Sequence, residues 1–202
     1  MPQKWTIRGV KLYSYVLKHD RGFAPNPEGK YCTLACCKPK IRKTAQVGDW
    51  VAGTGSARDK QSDRLIYAMR VTEKMTFDEY WRDRRFKGRK DNIYCPTCEA
   101  SRPLVQKKND YHDKDQMPHD LSGQFVLVSD RFVYFGEENK EAEPVRIPRR
   151  LHGIIKKGPG HKCRFDDGLV EGFVRWVEEP DMFSPYKSSG MIKFIQEVAD
   201  EA

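Results

Sequence analysis

Alternating apolar and polar positions along the chain predict several short β-strands. The first two are predicted at 11–17 and 31–35, where β-branched and aromatic residues are frequent. A Gly48-Asp49 turn then leads into a strand that begins at Trp50 and ends in the small residues 53–56. Glycine at the end of a strand lets a ligand or another stretch of main chain approach closely. Further strands are predicted at 65–71, 123–129 and 132–136.

Helical spacing is confined to short segments. Thr76 is placed to cap a helix with Glu79 at the capping-box position, and the aromatic stripe of that helix indicates packing in the core. The remaining helical candidates are a basic loop or first helical turn at 38–42, a helix or strand at 169–176 and a C-terminal helix at 191–198.

Many short strands with few helices favour the α+β class, as a small mixed β-barrel decorated with short helices. The regular strand–helix alternation of a dinucleotide-binding domain is missing, and so are the glycine-rich phosphate loops, which counts against an ATPase or a dinucleotide enzyme. With 202 residues we expect a single domain over 1–202, carrying a polar, exposed insertion at about 95–121.

Charge points to an anionic partner, since the formal net charge is +8. Nucleic acid is the commonest such partner of a basic domain, although charge alone is a weak argument. The chain has no apolar run of the roughly 20 residues that cross a bilayer and no signal-peptide core near its start. We therefore expect a cytoplasmic protein with no membrane partner.

Basic residues cluster in two segments and one turn. The turn at 158–160 precedes His161 and Lys162 and suits an anion, although a plain surface turn explains it equally well. Each cluster offers cations to a phosphate backbone, with a solvated surface as the alternative. The first contains Lys38, Lys40, Arg42 and Lys43, and the second Arg82, Arg84, Arg85, Lys87, Arg89 and Lys90.

The six cysteines leave three roles open: core packing, metal ligation and nucleophilic catalysis. Cys32, Cys36 and Cys37 are nucleophile candidates if a base such as His161 or His19 approaches them, but packing as small apolar residues is the simpler interpretation. A possible zinc site would use the CxxC pair and two histidines, namely Cys95, Cys98, His112 and His119.

Short blocks spread over most of the chain share the pattern of one family. They lie at 13–16, 22–27, 31–35, 37–42, 48–50, 53–56, 91–94, 126–129, 134–136 and 160–162. In these blocks the chain resembles a bacterial and phage family, the nucleotide modification associated domain of type 2. The resemblance implies a role beside enzymes that modify bases in DNA, and it raises the interest of His161 and Lys162.

A looser likeness is architectural. The turn into Trp50, the strand at 66–71 and the following helix are similar to the layout of PUA-like folds, including the EVE and ASCH groups. That likeness implies a barrel that holds a flipped base in an aromatic-lined pocket. The faces would come from Trp50, Tyr134 and Phe135, although ordinary core packing is the simpler interpretation of each ring. The contacts to the base edge would come from Asp49, Asn92 or Ser129.

Three functions follow from these patterns. The first is a module that binds DNA or a modified nucleotide, recognises the modified base and works with base-modification or phage-defence enzymes. The second is an enzyme acting on a modified nucleobase or nucleotide, with Asp49 or His161 as general acid or base and Lys38 or Lys162 on the phosphate. The third is a zinc-stabilised interaction protein whose insertion docks a partner.

Overall fold

The computed structural model describes residues 9–98, 104–137, 139 and 143–179. Its strands are β1 (Leu12–Val16), β2 (Cys32–Leu34), β3 (Trp50–Thr54), β4 (Arg64–Arg70), β5 (Glu73–Thr76), β6 (Tyr94–Pro96), β7 (Leu104–Gln106), β8 (Phe125–Ser129), β9 (Arg131–Tyr134), β10 (Val145–Arg146) and β11 (His161–Lys162). Its α-helices are α1 (Pro39–Thr44), α2 (Phe77–Arg82), α3 (Met117–Leu121) and α4 (Asp167–Val177). Short 3-10 turns lie at Ala57–Asp59, Arg84–Phe86, Lys114–Gln116 and Arg149–Ile154.

The largest sheet has six strands in the order β10-β4-β3-β1-β11, with β9 also paired to β4. β1 and β3 run parallel, and the other pairs are antiparallel. A second sheet has the order β2-β8-β5, and β6 pairs with β7 in a third. The mixed α+β class is thus confirmed, but the strands of the described residues form no closed barrel, so the predicted PUA-like barrel is not confirmed.

The core lies in layers on both faces of the large sheet. Leu12 and Trp50 pack with α4 on one face, whereas Tyr13 and Val51 pack on the other, towards the three-stranded sheet. The far side of that smaller sheet packs against α2 through residues such as Tyr80. Because both faces are covered, β3 is buried at every position, and its sequence lacks the alternation of a half-exposed strand.

Local sequence signals explain the helix boundaries. Thr76 and Glu79 form the predicted capping box at the start of α2. Asp166 caps α4 by accepting from the Leu169 N–H at 2.8 Å. The helix predicted at 191–198 lies outside the described residues. Across the part of the chain that is described, no helix combines the length and apolar composition needed to cross a membrane.

Candidate functional site

The candidate site is built on the loop between β2 and α1. Cys37 and Lys38 follow each other with φ angles of 57° and 43°, a left-handed conformation that residues with side chains rarely adopt. Each such residue costs about 1–3 kcal/mol and persists only where its surroundings hold it. The Cys37 N–H donates to Asp120 Oδ1 at 2.6 Å, and Arg42 Nε donates to the Cys37 carbonyl at 2.7 Å. The main chain at Cys37 is therefore held at both its donor and its acceptor.

Hydrogen bonds link the Cys37 side chain to His112 and Asp120. Cys37 Sγ lies 3.4 Å from His112 Nε2, and His112 Nδ1 lies 2.7 Å from Asp120 Oδ2. Tyr94 Oη donates to the same carboxylate oxygen at 2.6 Å. A thiol bonded to an imidazole, which is in turn bonded to an orienting carboxylate, is an arrangement suited to nucleophilic catalysis.

The charges in this group stabilise one another. Burial lowers the pKa of His112, but its hydrogen bonds to Asp120 and Cys37 outweigh burial and raise the pKa to about 9. Burial also acts to raise the pKa of Asp120, yet His112 and Tyr94 bring it below its ordinary value. At neutral pH, His112 therefore carries a proton and Asp120 is ionised.

The sequence predicts that Arg42 contacts a phosphate, and this prediction is wrong. Its side chain is fully buried and donates to the carbonyls of Cys37, Phe125 and Asp120. Gly123 makes room for the guanidinium, since an added Cβ would lie 2.6 Å from Arg42 Cζ. Arg42 therefore supports the site from behind and cannot reach a ligand.

Cys37 and His112 line a cavity of about 510 Å³, called the cysteine cavity below. Phe23 and Tyr111 also line it, and their rings stack with centroids 4.4 Å apart and planes 2° from parallel. The volume falls in the range of about 300–1,000 Å³ that is usual for small-molecule sites. The cations of its lining are Lys18, Arg21 and Lys38.

Residues from the first basic cluster and from the turn before His161 meet beside this cavity. β11 places His161 opposite Tyr15, and Lys38 Nζ lies 4.4 Å from the centroid of the Tyr15 ring. Burial, Lys40 and Lys38 together lower the pKa of His161, which favours its neutral form. Lys162 is directed elsewhere, because its Nζ donates to a main-chain carbonyl 2.8 Å away. The structure thus places Lys38, Lys40 and His161, which are separate candidates in the sequence, close to one another.

The prediction that Trp50, Tyr134 and Phe135 stack on a base is wrong, because all three rings lie in the interior. Trp50 is 2% exposed and packs edge-on against Phe173, with Phe135 in the same cluster. Tyr134 is buried as well, and its hydroxyl donates to Asp20 at 2.9 Å. A base could reach these rings only by opening the core.

The polar residues predicted for the base edge serve the main chain instead. Both carboxylate oxygens of Asp49 accept from main-chain N–H groups at 2.9 Å, which closes the turn before β3 and leaves Asp49 unsuited as a general acid or base. Asn92 donates to two main-chain carbonyls at 3.1 and 3.2 Å. Ser129 is buried and donates to the Arg131 carbonyl at 2.7 Å.

The predicted zinc ligands are not brought together. Cys95 Sγ donates to the Pro96 carbonyl, and His112 is engaged by Cys37 and Asp120 instead. Among the described residues, the group with metal-binding geometry is Cys36, His112 and Asp120, which includes neither CxxC cysteine nor His119. Two of these three residues already have other partners, because His112 and Asp120 bond to each other and to Cys37 and Tyr94, and a metal would have to displace those contacts.

A second cavity of about 1010 Å³, the basic groove, adjoins the first and shares Tyr111 with it. Asp110 is the single acidic residue in its described lining. Lys107 Nζ lies 4.1 Å from the centroid of the Trp81 ring in this groove. The groove takes up most of the second basic cluster, and its cations are Arg82, Arg84, Lys87, Lys90, Lys107 and Lys108. Arg89 also lines the groove, but it is buried and donates to the carbonyls of Glu28, Asn26 and Tyr31, so the prediction that it contacts a phosphate is wrong.

Interpretation of the sequence missed two parts of this site. Cys37 is among the nucleophile candidates, but the histidine that contacts it is His112, which the sequence suggests only as a zinc ligand. Asp120 and Tyr111 lie in the segment expected to be an exposed insertion, yet Asp120 is fully buried. The available signal was a polar segment that carries both a histidine and an aspartate, the partners that a catalytic cysteine requires.

Comparison with known proteins adds the family. The chain matches no curated protein and no solved structure. The sequence model of one family, described as nucleotide modification associated domain 2, matches residues 9–189, which include the whole cysteine cavity and the basic groove. The chain therefore belongs to the nucleotide modification associated domain 2 family.

Proposed function

We propose that this protein binds a nucleic acid strand and takes up one modified base in the cysteine cavity, with the phosphates of the strand along the basic groove. The observation that carries the proposal is the stacked pair Phe23 and Tyr111 beside the cations of the cavity. A flat apolar wall next to positive charge suits a base that is attached to phosphate.

Tyr111 is the ring best placed to contact the base. Phe23 is 5% exposed, whereas Tyr111 is only half-buried and lines both cavities. Turning a base out of its stack costs a few kcal/mol, and stacking on an aromatic ring returns about 1–3 kcal/mol. A strand in the basic groove would meet Tyr111 at the entrance of the cysteine cavity.

Family membership supports a ligand of this class, because the family is associated with nucleotide modification. We place the protein beside enzymes that modify bases in DNA, including those of phage defence. The net charge of +8 suits a polyanionic partner more than a free neutral base.

Fluorescence anisotropy tests the proposal with labelled single strands that differ at one cytosine, which is unmodified, hydroxymethylated or N-acylated. Wild-type protein should bind one modified strand about tenfold more tightly than the unmodified strand, the value of one stacking contact. Tyr111→Ala should remove this difference and leave binding of the unmodified strand almost unchanged. Equal affinity of the wild-type protein for every strand would contradict recognition of the modification.

Arg175→Ala is the matched control. Arg175 is an exposed cation that pairs with Glu171 on α4, on the opposite face of the large sheet. Its loss should alter neither affinity nor discrimination. The comparison is a double variant, Lys107→Ala with Lys108→Ala, which removes two cations of the basic groove. If Arg175→Ala reduced affinity as much as this double variant, binding would follow net charge and not the basic groove.

A further inference from the structure

We infer that Cys37 is a covalent nucleophile that hydrolyses an acyl group, held as an amide or an ester, on the nucleotide in the cysteine cavity. His112 moves the proton, and Asp120 is a positioning residue that orients His112. The inference rests on the proposed function, because it requires the nucleotide to occupy that cavity.

The geometry separates Cys37 from the other cysteines nearby. Cys32 and Cys36 are fully buried, and burial raises the pKa of both thiols. Cys37 is half-buried, lines the cavity and has a histidine nitrogen 3.4 Å from its sulfur. Packing explains the first two, but it does not call for the hydrogen-bonded chain that leads from Cys37 to Asp120.

The partners of Cys37 are fixed from several elements. His112 follows β7 and Asp120 belongs to α3, and the Nδ1–Oδ2 contact of 2.7 Å sets the direction of the imidazole ring. Tyr94 and the Cys37 N–H hold the carboxylate in turn, at 2.6 Å each. A carboxylate held in this way orients the histidine and stabilises its charged form.

Two cationic side chains lie beside the Cys37 sulfur, and the thiolate is the reactive form of cysteine. The raised pKa of His112, about 9, keeps an imidazolium next to Sγ at neutral pH. Lys38 adjoins Cys37 in the chain and lines the same cavity. Its ammonium group supplies positive charge for an oxyanion or for the phosphate of the substrate.

The reaction balances with water as its one co-reactant. The proposed step starts from a Cys37 thiolate and a proton on His112 Nε2, and the thiolate attacks the acyl carbon to form a C–S bond. The bond from that carbon to the nucleotide nitrogen or oxygen breaks, and the leaving atom takes the proton from His112 Nε2. Water then gives a proton to His112 and attacks the thioester, the C–S bond breaks and a carboxylic acid leaves. No electrons are gained or lost.

Alkylation by iodoacetamide at about pH 6.5, followed by peptide mass spectrometry, measures thiolate character without any substrate. Cys37 should react at least about tenfold faster than Cys163, an exposed cysteine of the same chain, because few ordinary thiols are ionised at this pH. His112→Gln should remove the excess, and His119→Gln, at an exposed position, should not. Asp120→Asn should shift the pH profile of alkylation in protein that circular dichroism shows to be folded.

Acyl transfer is tested with 4-nitrophenyl acetate and with N-acetyl deoxycytidine monophosphate. Both should leave an acetyl group on the Cys37 peptide, and the second should release deoxycytidine monophosphate and acetate. Cys37→Ser should slow release by about a hundredfold or more, as expected for loss of a nucleophile. Cys163→Ser should leave the rate unchanged.

The outcomes separate this inference from the proposed function. The protein could bind modified strands while Cys37 is alkylated no faster than Cys163. That result would overturn the covalent step but not the proposed binding site. A reactive, acetylated Cys37 without nucleotide binding overturns the proposed function and the substrate assignment with it. A stoichiometric metal in the purified protein that is lost in Cys36→Ser would show that His112 is a metal ligand, which also overturns the inference.

Discussion

Two buried aspartates, Asp91 and Asp120, have similar neighbours but opposite pKa shifts. Each accepts a hydrogen bond from a tyrosine hydroxyl, at 2.9 Å from Tyr80 and at 2.6 Å from Tyr94. Burial raises the pKa of Asp91, and its hydrogen-bond donors offset this only in part. For Asp120 the imidazole of His112 reverses the balance, so that its pKa falls.

The difference lies in where each hydrogen-bond network leads. The donors to Asp91 come from Asn26, Thr33 and Tyr80, all of which are buried, and Arg89 approaches at 3.7 Å. That network joins the loop before β2 to α2 and the 3-10 turn after it. The network of Asp120 continues through His112 to Cys37 at the cavity wall. A buried carboxylate bonded only to other buried groups therefore indicates a structural role. A buried carboxylate that connects through hydrogen bonds to a cavity indicates a role in binding or catalysis.

The largest expected effect is on the Asp91 side. Asp91→Ala leaves the buried guanidinium of Arg89 without its opposite charge and removes the acceptor of three buried side-chain donors, which should lower the free energy of unfolding by about 3–5 kcal/mol. Urea denaturation followed by circular dichroism measures it. The alkylation rate of Cys37 in the remaining folded protein should not change. Asp78→Ala is the control, because this carboxylate is half-exposed and pairs with Arg82 on the surface of α2. A similar loss in both variants would show that Asp91 contributes no more to stability than a surface carboxylate.

Arg42→Lys tests the support behind the other network. Arg42 reaches its three carbonyls with three different nitrogens of a planar group, whereas lysine has one nitrogen at a single point and leaves some of those carbonyls without a donor. The free energy of unfolding should therefore fall by about 2–4 kcal/mol. The Cys37 main chain loses its partner as well, and we expect the excess alkylation rate of Cys37 to fall with it. Unchanged reactivity in folded Arg42→Lys would show that the left-handed conformation at Cys37 needs no help from Arg42.

His112 gives the Asp120 network a pH dependence on the alkaline side of neutral pH. Its pKa rises from the ordinary 6.5 to about 9 on folding, so its contribution to stability is complete below about pH 6.5 and is lost as the pH rises through about 9. Between these values wild-type protein should lose about 1–3 kcal/mol more than His112→Gln. Denaturation curves across this range measure the difference, and parallel curves would contradict a raised pKa.

Much of the fold is predictable from the sequence because its signals are local. The strands at β1, β3, β4, β8 and β9 and the capping box of α2 lie where the patterns place them. The layering of sheets and helices is a long-range property, and it makes Trp50 a core residue and not the predicted face of a base pocket. Sequence alone does not show that both faces of β3 are covered.

The site is less predictable, since its members are distant in the chain. Cys37 and His112 are 75 positions apart, and the segment that carries His112 has the composition of an exposed loop. Charge patterns single out Lys38 and Lys40 and the turn before His161 as separate candidates, because cations and turns leave a local trace, and the structure places them close to one another. Arg42 belongs to the same cluster in the sequence and yet turns inward, and only the positions of the carbonyls around it explain why.

The smallest expected effect comes from the same change made in both networks. Tyr80→Phe and Tyr94→Phe each remove one hydroxyl that donates to a buried carboxylate, and each should cost about 1–2 kcal/mol in the free energy of unfolding. Only Tyr94→Phe should also alter the alkylation rate of Cys37, because Asp120 then holds His112 less firmly, whereas the Tyr80 hydroxyl bonds to Asp91 and Thr33 and to neither His112 nor Asp120. If both variants changed the alkylation rate equally, loosening of the whole protein would explain the reactivity, and the contrast between the two aspartates would be lost.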